Sequence, residues 1–132
     1  MTDVKTRRDQ GVVSGFVVGL GLSLVVMAGL AVDSGRLVAA RTEAADHAEN
    51  AARLAAQEIT LIRLGIRTID PTRARSVAAA YFDRHGVDGS VVIDHQSVTV
   101  TVRAEQSTTL LHLVGVDSRA LSATRTATVV AG

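Results

Sequence analysis

Residue types that catalyse reactions or bind metals occur in this sequence, but none stands in a spacing that indicates a site. The histidines are scattered along the chain, and none has a metal-ligand spacing such as H-x-x-x-H. The chain has no cysteine, which excludes disulfides and thiolate metal ligands. No nucleophile elbow surrounds a serine. We therefore predict no enzyme activity, no cofactor and no small-molecule substrate. The histidines are His47, His85, His95 and His112.

Two aspartates and a histidine, Asp88, Asp94 and His95, lie near one another in the sequence and could form a weak site. A turn between two strands collects the same residue types without any site. The segment from Gly86 to Gly89 has no phosphate-loop pattern. The turn is therefore the favoured interpretation.

Composition limits the function classes further. The 132 residues carry a formal net charge of +1, so no strong field attracts nucleic acid or acidic substrates. The aromatic residues are Phe16, Tyr81 and Phe82 alone. Because proteins bind single-stranded nucleic acid largely through aromatic stacking, this scarcity argues against a nucleic-acid partner.

The element on which the chain is organised is the uncharged stretch from Gly11 to Val32. As a helix it would be about 33 Å long, enough for a hydrocarbon core of about 30 Å. A signal peptide has a shorter apolar region and a small-x-small cleavage site after it, whereas the candidate triplet Val38-Ala39-Ala40 lies beyond Asp33 and Arg36. We predict a retained membrane span over residues 11–33.

A short basic head, residues 1–10, precedes the span and carries Lys5, Arg7 and Arg8. Positive residues beside a span tend to remain in the cytoplasm. We therefore expect a cytoplasmic N-terminus and an extracytoplasmic body in a single-pass protein of the cell membrane.

Small residues recur every four positions within the span, at Gly11, Gly15, Gly19 and Ser23. Such a strip lets two helices approach closely in lipid, so Gly15, Gly19 and Ser23 are the candidate helix–helix contact. Ordinary enrichment of glycine in membrane spans is an equally good explanation. At the outer boundary, Asp33 could form an ion pair with Arg36 one turn on, or contact a partner.

The helix is predicted to continue beyond the membrane. Apolar residues follow at steps of three or four, the period of a buried helical stripe. This predicts an extension over residues 34–69 that ends near Gly65, and leaves open a kink near Gly35. The stripe consists of Leu37, Ala40, Ala44, Ala48, Ala51, Ala55, Ile59, Ile62 and Ile66.

Residues 70–132 are predicted to form a small α+β body. Asp70 and Pro71 begin a second helix, which ends at Gly86. Alternating residues then predict three antiparallel strands. The fold class is thus α+β, a long transmembrane helix followed by a second helix and a small antiparallel sheet. The predicted strands are Ser90 to Asp94, Ser97 to Arg103, and Arg119 to Val130, with Thr108 to Val114 a short helix or turn.

The order of these segments resembles a known family. After the basic head and span comes DSGRL, from Asp33 through Gly35 and Arg36 to Leu37, and then the helix AADHAENAA from Ala44 to Ala52. Together they resemble the N-terminal region of the TadE/TadG-like proteins of the Tad (Flp) pilus assembly system. The resemblance implies a membrane-anchored, pilin-like component whose partners are membrane lipid and other pilus or secretion-system subunits, pilin helices included.

The resemblance also bears on processing. Some members of the family are cut by a prepilin peptidase after a glycine, with a glutamate five residues further on. Gly11 is the candidate cleavage position here, yet Phe16 stands five residues beyond it. This departure favours a TadG-like protein or minor subunit over a processed major pilin.

Two hypotheses follow. The first is an anchored assembly component or minor pilin that acts through helix contacts and through its body. The alternative is a single-span extracytoplasmic binding module unrelated to filaments, which predicts that the body from about Asp70 keeps its activity when it is released from the span.

Overall fold

The computed structural model describes residues 4–60, 67–108, 115 and 118–129, with side chains from residue 11 onwards. The fold is α+β, as predicted, with one long helix, a second helix and a three-stranded antiparallel sheet packed against them. The elements are α1 (Val4–Ala56), β1 (Ile59–Thr60), β2 (Thr68–Ile69), α2 (Pro71–His85), β3 (Asp88–Ile93), β4 (Ser97–Ser107) and β5 (Ser118–Thr128).

Helix α1 is an unbroken α-helix of 53 residues. It passes through Gly35 without interruption, so the helix is continuous there. Its apolar first half is exposed on nearly all sides, and its second half packs against α2 and the sheet.

The prediction that this helix reaches Gly65 is wrong. The helix ends at Ala56, and Ile59 is paired with Ile69 in a two-stranded ribbon. Ile59 and Thr60 are β-branched residues, which lose side-chain freedom in a helix and suit a strand. Pairing with β2 therefore decides their conformation. Ile62, Gly65 and Ile66 lie outside the described residues.

The alanine stripe predicted along the extension is confirmed up to Ala55. Ala44, Ala48, Ala51 and Ala55 are all buried, and they form the helix side of the core. Alanine has the smallest side chain that still favours a helix. The stripe therefore lets the backbone of α1 approach β4, β5 and α2 closely.

Helix α2 begins and ends where its capping residues predict. The Asp70 side chain accepts hydrogen bonds from the backbone N–H groups of Thr72 and Arg73, at 2.9 and 3.1 Å. At the other end Gly86 has a φ of 64°, the left-handed conformation that favours glycine. Its N–H group donates to the Phe82 carbonyl.

The sheet has the order β3-β4-β5, and its central strand contributes a row of valines to the core. Val98, Val100 and Val102 are fully buried, while the residues between them face outwards. Ala123 continues this inner face on β5. Arg125, the exception in the predicted alternation, is exposed.

The strands are longer than predicted in two places. β3 begins at Asp88, opposite Arg103, and β4 continues to Ser107, opposite Ser118. Pairing with the neighbouring strand extends each strand there, although apolar and polar residues alternate only weakly in the sequence. Most of the segment from Thr108 to Val114 lies outside the described residues.

Candidate functional site

The predicted small-residue strip lies exposed on the first half of α1. Gly11, Gly15, Gly19 and Ser23 are all accessible, and the Ser23 hydroxyl donates to the Gly19 carbonyl at 2.9 Å. That bond satisfies the hydroxyl within the helix. The strip is therefore a nearly flat surface of backbone and small side chains.

Nothing within the described chain requires glycine at these positions. A Cβ atom added to Gly11, Gly15 or Gly19 would have no atom within 4 Å beyond the helix's own neighbouring backbone. A glycine inside a helix is less favourable than alanine by about 1 kcal/mol. The glycines thus weaken the helix without improving the packing of this chain.

One residue of the predicted membrane boundary is buried. Asp33 is only 3 % exposed, whereas Gly35 and Arg36 are exposed. Gly29, one turn earlier, is buried too, so protein covers this face of α1. The sequence does not reveal that burial, because the neighbouring residues are ordinary span residues. The Asp33–Arg36 ion pair stays a prediction.

Two histidines that are far apart in the sequence meet in the body. His47 on α1 and His85 at the end of α2 have ring centroids 5.5 Å apart. Tyr81 joins them, since its hydroxyl lies 3.0 Å from His47 Nδ1 and its ring stacks on His85. His85 Nδ1 is 2.9 Å from the Tyr81 carbonyl and donates to it.

Sequence reasoning missed this cluster because the helices that carry it pack side by side only in the folded body. The hydrogen bond between Tyr81 and His47 ties α1 to α2. Among the described residues, no group of three histidine or acidic side chains could hold a metal ion. The cluster is suited to joining two helices. His112 lies outside the described residues.

The other weak candidate is not assembled. Asp88 begins β3, and Asp94 and His95 follow its far end. A strand of this length separates them by about 20 Å. Asp94 instead accepts a hydrogen bond from the His95 backbone N–H at 2.7 Å, an ordinary turn interaction.

Two grooves open where α1 meets the sheet on the side nearer the span. The larger, about 780 Å³, lies beside the histidine pair and is also lined by Glu43, Asp88 and Arg103. The smaller, about 310 Å³, lies between Arg41 on α1 and Arg119 on β5. The larger groove is mixed in charge, and the smaller one has basic walls.

Comparison with known families identifies the first part of the chain. Residues 11–58 match the family model described as putative Flp pilus-assembly TadE/G-like. Over these residues the chain is similar to the TadE/G-like family. No match was found among curated proteins or among solved structures.

The matched segment contains the candidate cleavage, helix-contact and boundary residues, from Gly11 to Arg36. It also includes the buried alanine stripe of α1 up to Ala55. The helix is long and apolar enough to cross a membrane, and only 6 % of its most apolar window is buried. The matched segment thus joins one candidate membrane span to one side of the body's core.

Proposed function

We propose that this protein is a membrane-anchored minor pilin or assembly component of a Flp-type pilus or related secretion system. It performs no catalysis and acts through contacts with other subunits. The observation that carries this proposal is the continuity of α1, whose exposed apolar half passes without a break into the helix that forms the core of the body. A subunit of this form transmits the position of its span directly to its body.

In this proposal residues 1–10 are a cytoplasmic head and residues 11–33 cross the membrane. The extension and the body, residues 34–132, lie outside the cytoplasm. The basic residues of the head support this orientation. Gly11 is the candidate cleavage position, and Phe16 five residues beyond it favours an uncleaved or minor subunit.

We further propose that Gly15, Gly19 and Ser23 contact the helix of a neighbouring subunit. Close approach gains van der Waals contact in lipid, where there is no hydrophobic drive for helices to associate. The open space beside both glycines supports an intermolecular use of the strip. Asp33, Gly35 and Arg36 are proposed to mark the outer end of the span.

Cross-linking tests this contact. With single cysteines placed at successive span positions in the native membrane, we expect wild-type chains to form cross-links along the strip face. Replacing Gly15 and Gly19 by leucine should abolish those cross-links, because two large side chains hold the helices apart. Insertion, measured by resistance to alkaline extraction, should be unchanged.

Gly21 supplies the matched control. It lies in the same span on another face and also has open space around it, so Gly21→Leu should leave the cross-links intact. Cross-linking that survives in the double variant contradicts the proposed contact, as does equal loss with Gly21→Leu.

The alternative, a binding module unrelated to filaments, has to be tested with a fragment that keeps the whole core. The core contains Ala44, Ala48 and Ala51 of α1, so a fragment that begins at Asp70 lacks one side of its own core. A released body has to begin near Leu37. If that fragment holds an envelope component as well as the full chain does, the binding-module hypothesis gains support.

A further inference from the structure

We propose that the smaller groove, between Arg41 and Arg119, binds the phosphate of an anionic lipid in the outer leaflet of the membrane. This inference rests on the proposed function, which places the body at the extracytoplasmic surface of the membrane. It adds a lipid-headgroup site, and therefore a contact that sets the height and tilt of the body.

The walls of this groove carry two arginines without an acidic partner. Arg41 and Arg119 line it from α1 and β5, and every residue lining it lies in the described part of the chain. No carboxylate is among them, and within that part neither guanidinium forms an ion pair. One guanidinium group can donate two parallel hydrogen bonds to a phosphate, and these are more directional than the hydrogen bonds of lysine.

The remaining lining of the groove is mostly apolar. Leu37, Val38 and Leu121 contribute to it, and Val38 is 67 % exposed. The aliphatic stems of arginine lie favourably along such a surface while the charged ends stay in a polar environment. An apolar lining beside two cations matches the glycerol and upper acyl part of a lipid better than it matches free inorganic phosphate.

The position along α1 suits a headgroup. Leu37 is about 6 Å and Arg41 about 12 Å beyond Asp33 along the helix. Side chains of a helix lean toward its N-terminus, which here is the membrane side. An arginine at position 41 is therefore expected to reach back toward the headgroup layer.

A second groove further along the same two elements shows that this arrangement is local. There Arg53 and Arg125 also face each other across α1 and β5, but Glu49 lines the groove with them. Glu49 forms an ion pair with Arg53 at 2.5 Å. The distal pair of arginines is thus partly neutralised, and it lies about 18 Å further from the membrane.

The test uses the full chain in nanodiscs of phosphatidylcholine that contain a minor fraction of phosphatidylglycerol. Native mass spectrometry after gentle release counts the lipids that each protein retains. Wild-type protein is expected to retain phosphatidylglycerol preferentially, and R41Q/R119Q to lose this preference about tenfold. The matched double variant R53Q/R125Q removes the same charge from the same elements and should retain the preference.

Several outcomes overturn the inference. Equal retention by wild type and R41Q/R119Q does so, and so does an equal loss in R53Q/R125Q, which means attraction by net charge. Displacement of the lipid by excess inorganic phosphate shows a free-phosphate site instead. Circular dichroism verifies that the variants are folded.

The proposed function fails separately. If the wild-type chain is removed from native membranes by alkaline extraction, the membrane placement itself is wrong. If the chain resists extraction and lacks a preference for phosphatidylglycerol, only the lipid site is wrong.

Discussion

The two halves of α1 form one continuous helix with two different surfaces. Between Gly11 and Val32 apolar residues cover every face and are almost all exposed. Between Leu37 and Ala55 a single stripe is apolar, and that stripe is buried against α2 and the sheet. The first surface suits a solvent of hydrocarbon chains, and the second suits water on one side and a protein core on the other.

A glycine of the apolar half of α1 and a glycine of the body differ in the same way. Gly19 in the first half has open space around it, whereas a Cβ atom on Gly89 of β3 would lie 2.5 Å from the Phe82 ring. The ring of α2 thus packs directly on the strand. Packing inside the chain explains Gly89, whereas no contact within the described chain explains Gly19.

The largest expected effect comes from enlarging the buried stripe. Ala48 is fully buried, so Ala48→Leu should destabilise the body by about 3 kcal/mol, because a close-packed interface has no room for the added carbons. Urea unfolding in micelles, followed by circular dichroism, measures the change. Val18→Leu in the exposed half is the control and should leave the midpoint unchanged. An unchanged midpoint for Ala48→Leu would show that the stripe is loosely packed.

A smaller effect is expected for Gly89→Ala. The new methyl group overlaps the Phe82 ring, and moving that ring should cost about 1–2 kcal/mol. Phe82→Leu combined with Gly89→Ala should cost less than the sum of the two single changes, because the ring is no longer there. Gly19→Ala in the apolar half of α1 is the comparison, and it should leave the midpoint of the same unfolding assay unchanged. Additive costs would contradict a direct contact.

The smallest effect is expected for Tyr81→Phe, which removes the hydroxyl that joins α2 to His47 on α1. One such hydrogen bond contributes about 1 kcal/mol. Thermal unfolding should show this loss. Thr124→Val should show almost none, because its hydrogen bond to Thr101 is exposed and water can replace it. If the two variants lose the same amount of stability, the hydrogen bond of the Tyr81 hydroxyl is replaced by water as easily as an exposed one.

Local chemistry was enough to predict several elements. Asp70 and Gly86 bound α2 because capping depends on the residue itself and its neighbours. The alternation of Val98, Val100 and Val102 predicted which face of β4 is buried, because a strand turns successive side chains to opposite faces. The alanine stripe was readable for the same kind of reason.

Tertiary structure decided the rest. Ile59 is not part of the helix because β2, the next strand along the chain, pairs with its backbone. His47 met His85, and Arg41 came to face Arg119, because separate elements pack side by side. Asp33 is buried although its sequence neighbours are exposed.

The sequence by itself therefore determined the apolar span, the period of each element and the residues that end α2, since these depend on neighbours along the chain. Only the folded chain decided where α1 ends, which histidines meet and which arginines share a groove. Those features depend on contacts between separate elements, and the pattern within one element does not record them.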